Sequence, residues 1–197
     1  MNEQQEQIAR RRKRRRQRRL VSIVGFLLFS TGMAWFFELQ ATTTVIVTRY
    51  ADRSGVTSAD PGLSPRGQQR ARELARVLGD VDVIAGVDAI FVAPVRRSLE
   101  TSLPLATYND VPVHTVEDPA DVEALMLRIL QEYKGKIVLI ITEPEIMQPL
   151  IAEMHGSKKL PELANDEYDN LYIVSIPWFG KVKTLRLRYG LPYLPDA

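Results

Sequence analysis

The longest uncharged stretch of the chain, Leu20 to Phe37, reads LVSIVGFLLFSTGMAWFF and is apolar on every side. At 1.5 Å per residue these eighteen residues span about 27 Å as a helix, close to the hydrocarbon thickness of a bilayer. Trp35, Phe36 and Phe37 sit at its outer end, where aromatic rings favour the membrane interface, and Glu38 closes it. Beyond it the pattern breaks into short runs of alternating type. Thr44–Thr48 is a continuous β-branched run, the mark of a buried strand. Ser64-Pro65 then supplies an N-cap and a first-turn proline. Ala71, Leu74, Ala75 and Leu78 recur at helical spacing, with Gly79 as the stop.

Val87–Val92 predicts a second strand, and Pro94 opens a helix to about Thr107. Val111–Val113 reads as a short strand. Pro119 to Tyr133 is helical, with Val122, Leu125, Met126 and Ile129 on one face. Lys136–Thr142 (KIVLIIT) carries the strongest strand signal, Glu145–Met154 is a helix, and Leu171–Ile176 and Lys181–Arg188 are closing strands joined through Pro177 and Gly180. Strands alternating with helices of ten to fifteen residues predict an α/β fold, a three-layer sandwich with a mostly parallel central sheet, preceded by one transmembrane helix. The resulting division is a basic arm (1–19), a transmembrane signal anchor (20–37), a linker (38–44), the α/β domain (45–190) and a tail (191–197).

Charge sharpens the N-terminal reading. The first nineteen residues hold nine of the 26 Lys and Arg and two of the 24 Asp and Glu, a net +7, so the remainder carries −5. Positive charge beside a first hydrophobic segment stays cytoplasmic, which places the N-terminus inside and the domain on the outer, periplasmic side of the cytoplasmic (inner) membrane as a single-pass protein. A cleaved signal peptide is the closest rival. The apolar run exceeds the usual 7–15-residue core of such a peptide, and no clear small-x-small site follows. Arg18-Arg19 resembles a twin-arginine export signal, but the residues after it fit that pattern poorly. Nucleic-acid binding by the arm is disfavoured, because no aromatic residues interleave it and it abuts the membrane; attraction to anionic lipid headgroups suits it better. Cysteine is absent, so thiolate chemistry, disulfides and zinc–thiolate sites are excluded.

Ligands in such sheets bind outside the carboxyl ends of the strands, where the segments after Thr48 and Ile141 lie. Five segments, in order, are VIVTRYAD, LSPRGQQRARELARVL, APVRRSLETSLPLA, KIVLIITEPEIMQPLI and EYDNLYIV. Together they resemble the histidine phosphatase superfamily, which includes phosphoglycerate mutases and small phosphohistidine phosphatases. The resemblance covers roughly residues 44–190. It implies a cluster of two arginines and two histidines around one phosphoryl group, one histidine acting as nucleophile and a carboxylic acid protonating the leaving oxygen. Arg49 and Arg97 stand at the two phosphate-binding positions, suited to a planar, bidentate grip.

The histidine positions are substituted. Where the resemblance implies Arg-His, this chain has Arg49-Tyr50, followed by Ala51 and Asp52; Asp52 is a candidate acid or, equally, half of a solvated pair with Arg53. The second histidine position falls on Glu143 when counted back from Leu150-Ile151, or on Thr142 when aligned on the Glu-Pro-Glu segment. A phenol has a pKa of about 10 and is a poor nucleophile unless nearby arginines lower it. A carboxylate at the second position repels phosphate and would pair with Arg49 or Arg97 instead. The two histidines present, His114 and His155, read as a strand-end residue and a helix-end residue, with no metal-ligand set around them. The acidic stretch Glu162–Asp169 reads as a polar loop, and the short connections predict a small, open pocket. The expectation is a membrane-anchored pseudophosphatase that binds a phosphorylated small molecule, a phosphoprotein or another protein partner, without cofactor or metal. The alternative is an active phosphomonoesterase with a non-histidine nucleophile.

Overall fold

The computed structural model describes residues 3–38, 42–55, 57–80, 86–157, 160–161, 163–164 and 166–192. The chain divides into two units, Met1–Gln40 and Ala41–Ala197.

The first unit holds one helix, α1 (Glu3–Glu38), so the basic arm and the apolar run form one continuous element. Its segment Arg14–Phe36 has a mean hydropathy of 1.5 and none of it is buried, which makes it long and apolar enough to cross a membrane. Membrane anchors and signal sequences share this composition.

The second unit runs β1 (Thr43–Arg49), α2 (Pro65–Asp80), β2 (Ala89–Val92), α3 (Arg96–Asn109), β3 (Val113–Thr115), α4 (Val122–Glu132), β4 (Ile137–Thr142), α5 (Pro144–Glu153), β5 (Asn170–Ile176) and β6 (Lys183–Arg188). The six strands form one sheet in the order β3-β2-β4-β1-β5-β6. The first four in that order are mutually parallel; β5 runs antiparallel to β1, and β6 antiparallel to β5. The alternation along β1 shows how the layers arise. Val45 and Val47 enter one core with Leu125, Met126 and Ile129 of α4 and Met147, Leu150 and Ile151 of α5. Ile46 and Tyr50 enter the other with Leu74, Ala75 and Leu78 of α2 and Leu105 of α3. A strand buried on both faces needs apolar side chains at both parities, which is why β1 and β4 read as unbroken apolar runs. The predicted α/β sandwich with a mostly parallel sheet is the observed fold.

Boundaries shift in places. The helix expected from Pro94 starts at Arg96, because Pro94 and Val95 form the turn out of β2. The short strand sits at 113–115 rather than 111–113, so His114 lies within it and pairs with Phe91 in register. The helix expected from Pro119 begins at Val122, capped by Asp121, whose carboxylate accepts from the Ala124 amide. His155 lies beyond the end of α5 with φ 54°, in the left-handed region.

Candidate functional site

The carboxyl ends of β1 and β4 are adjacent, with Arg49 opposite Thr142 and the Tyr50 amide donating to the Thr142 carbonyl at 3.3 Å. The first turn of α3 brings Arg97 to the same edge, and Glu143 stands at the N-cap of α5. Thr101 couples the pieces: its hydroxyl donates to the Arg97 carbonyl at 2.7 Å and accepts from the Ala51 amide at 3.0 Å. Arg49, Tyr50, Arg97, Thr142 and Glu143 thus gather at one place although they come from three separate segments.

Each guanidinium at this place is engaged by the protein itself. Arg97 Nη2 donates to Glu143 Oε1 at 2.7 Å, and its Nη1 lies 3.8 Å from Asp60 Oδ1. Asp60 also accepts from the Arg96 amide with both carboxylate oxygens, at 3.1 and 3.0 Å, so it closes the positive N-terminal end of α3. The flat face of Arg97 rests on the Tyr50 ring, 4.3 Å from its centroid. Arg49 is only 2% exposed. Its Nη1 donates to the carbonyls of Ala164 and Glu167 at 3.3 and 3.2 Å, and its guanidinium lies 4.0 Å from the centroid of Tyr168 and 5.2 Å from that of Tyr50.

The segment leading to Asn170 therefore differs from the polar loop expected. Glu167 and Asp169 are buried, Glu167 accepting from Arg186 at 2.7 Å and Arg188 at 2.8 Å, and Asp169 from Arg188 at 3.0 Å. Burying two carboxylates is tolerable only with such partners. Anchored this way, Glu167 and Tyr168 cover Arg49, and the expected open pocket is covered on that side. Glu162 lies outside the described residues.

The remaining candidates separate. Asp52 is buried and is not paired with Arg53 as a solvated couple. Its Oδ2 accepts from Arg70 Nε at 2.6 Å and its Oδ1 lies 3.2 Å from Arg66 Nε. Thr142 is buried, and its hydroxyl has no hydrogen-bond partner among the described residues. His114 sits elsewhere, with the Tyr133 hydroxyl 2.9 Å from its Nε2 and the Phe91 ring tilted by 31° to its own, 5.1 Å between centroids. Among the described residues no group of three or more His, Asp or Glu could hold a metal. Sequence reasoning did not assign Asp60, Glu167 or Tyr168 to the site, although the last two open the segment EYDNLYIV; only the closure of the chain brings them to the arginines.

The sheet order, with two arginines at the carboxyl ends of its strands, can be set beside known proteins. Residues 47–122 match the model of the histidine phosphatase superfamily (branch 1). No curated protein sequence matches the chain. Among solved structures it is similar to the protein histidine phosphatase SixA complexed with tungstate, at 17% identity and a TM-score of 0.59 over 74% of this chain and 96% of that one. It is likewise similar to a mycobacterial glucosyl-3-phosphoglycerate phosphatase (14% identity, TM-score 0.56, 75% and 98%) and to Bacillus stearothermophilus YhfR (16%, 0.53, 67% and 90%). The domain after α1 thus shares the fold of these phosphatases, and the family match takes in the first three of its five segments.

Proposed function

We propose that this protein is a membrane-tethered pseudophosphatase, a histidine phosphatase-like domain that binds without hydrolysing. The observation that carries the reading is the 2.7 Å contact between Arg97 Nη2 and Glu143 Oε1. A guanidinium that would grip a phosphoryl group holds an internal carboxylate instead, and Asp60 adds a second negative charge on its other side. Position 50 carries a phenol whose ring is packed under Arg97, and positions 142 and 143 carry no imidazole. Among the described residues the arginines then face a phenol and carboxylates rather than an imidazole. A phosphorylated small molecule or phosphoprotein entering the site has to displace Glu143, while a protein partner docking on the surrounding surface does not.

The apolar run and the charge of the arm support a single-pass anchor in the cytoplasmic membrane, with the N-terminus inside, the domain outside, and the arginines against anionic lipid headgroups. A reporter fused after Ala197 tests this: activity restricted to the cytoplasm reverses the orientation.

Catalysis is tested on the full chain in detergent with a chromogenic phosphate ester, comparing the native protein with Tyr50→Phe and Tyr50→His/Glu143→His. The native protein is expected to turn over no faster than the blank. Native turnover that disappears in Tyr50→Phe would overturn the pseudoenzyme reading and establish an active phosphomonoesterase with a tyrosine nucleophile.

A further inference from the structure

The turn between β5 and β6 reads Pro177-Trp178-Phe179-Gly180-Lys181-Val182. It leaves the sheet at the edge opposite the candidate site: Ile176 pairs with Thr43, the first residue of β1, and Ser175 with Lys183. Phe179 is 87% exposed and Trp178 54%, while Lys181 and Lys183 are exposed beside them. Gly180, with φ 117°, lets the chain turn back sharply so that the two aromatic residues stand at its tip. Two large exposed rings at a turn are costly in water, because roughly 25 cal/mol per Å² of apolar surface stays unburied. Adjoining aromatic and lysine residues are the composition of a membrane interface, where rings sit at headgroup level and ammonium groups meet lipid phosphates.

Chain length limits where this tip can be. Only residues 39–42 separate Glu38, the last residue of α1, from Thr43. Five peptide units extend at most about 17 Å. If α1 crosses the membrane with Trp35 at its outer boundary, β1 must begin within roughly that distance of the headgroups. Ile176 lies one strand spacing from Thr43, about 5 Å, and Phe179 is three residues further along, up to about 10 Å more. The tip is therefore within reach of the interface, and the tether raises its local concentration there.

We propose that the Pro177–Val182 turn is a membrane contact. Trp178 and Phe179 insert at the headgroup boundary, and Lys181 and Lys183 face anionic lipid phosphates. The inference rests on the reading of α1 as a membrane anchor. Its consequence is distance: the candidate site, at the far end of a seven-residue strand, stands roughly 20 Å from the edge that carries the turn.

The chain has two tryptophans, so each can be isolated. The full chain is reconstituted in vesicles of phosphatidylcholine with phosphatidylglycerol, and tryptophan emission is followed against brominated lipids and aqueous acrylamide. Trp35→Phe leaves Trp178 as reporter; quenching by shallow brominated lipid, protection from acrylamide and a blue shift are expected. Phe179→Asp in that background is expected to lose the lipid quenching, and unchanged quenching would count against insertion. Trp178→Phe leaves Trp35 to test the anchor itself. If Trp35 is quenched by lipid but Trp178 is quenched only by acrylamide, the anchor stands and the contact is overturned. Protection of Trp178 from both quenchers assigns the tip to a protein contact and overturns the proposal too. If Trp35 escapes the brominated lipids, the anchor reading fails and the proposal fails with it.

Discussion

If Glu143 closes the anion site, removing its charge without its shape must open that site. Glu143→Gln is that perturbation. The carboxylate sits 2.7 Å from Arg97 Nη2, with side-chain exposures of 36% and 15%. A phosphate seated on Arg97 would stand near 4 Å from Glu143, where unit charges repel by about 1 kcal/mol in water and about 4 kcal/mol at an effective dielectric of 20. The carboxylate is a third exposed, so the lower part of that range applies, and a phosphate near −2 doubles it. Relief of about 2–4 kcal/mol corresponds to roughly 30- to 1,000-fold tighter phosphate binding. The assay is thermal unfolding of the full chain in detergent, with and without inorganic phosphate at constant ionic strength. For a dissociation constant of about 1 mM in the variant, 10 mM phosphate stabilises it by about 1.4 kcal/mol. In a domain of this size that raises the Tm by about 3–6 °C. The native protein should barely respond, and Arg97→Ala in the variant background should abolish the response. Equal phosphate stabilisation of native protein and Glu143→Gln would refute the reasoning, because Glu143 would then not be what excludes the anion.

Three further outcomes test the fold around the site. Arg70 is 3% exposed, and its guanidinium donates to Asp52 and to the carbonyls of Tyr189 and Leu191; Arg70→Ala should cost about 3 kcal/mol in denaturant unfolding by stripping Asp52 of its buried partner. Gly67 lies so close to the Asp52 backbone that an added Cβ would collide with its carbonyl oxygen; Gly67→Ala should lower stability by about 3 kcal/mol, and an unchanged midpoint would show that α2 can shift away from the strand. Burial pushes the Tyr189 phenol up to about 12 from 10.0. A raised folded-state pKa keeps its full contribution below about pH 10, and that contribution is lost as pH rises toward 12, to a limit near 2–3 kcal/mol. Unfolding midpoints compared at about pH 9 and 11 should therefore fall less in Tyr189→Phe than in the native protein, with Tyr172, also raised by burial, accounting for part of the residual slope.

How much of this was legible beforehand differs from element to element. β1 and β4 were read to within a residue or two, because a strand buried on both faces leaves a continuous apolar run that needs no knowledge of its neighbours. The start of α4 was missed by three residues, since Pro119 signals a helix start while the Asp121–Ala124 hydrogen bond sets the actual one at Val122. Arg49 and Arg97 could be placed from their segments. Their partners could not. Glu167 and Asp169 resembled solvated loop residues until Arg186 and Arg188 of β6 supplied the charges that permit burial. Asp52 read equally as a candidate acid or as a solvated partner of Arg53, whereas helix α2 brings Arg66 and Arg70 to it.

The sequence by itself determined the apolar run of α1, the α/β layering, the arginines at positions 49 and 97, and the absence of histidine at positions 50, 142 and 143. Those are matters of composition and of periods two and 3.6, which short stretches of chain impose on themselves. Only the tertiary structure decided what the arginines hold. Arg97 meets a carboxylate 46 residues away, and Arg49 meets carbonyls 115 and 118 residues away. Such pairings depend on which loops close over which strand ends, and no local pattern encodes a contact whose energy is realised only when two distant segments are desolvated together.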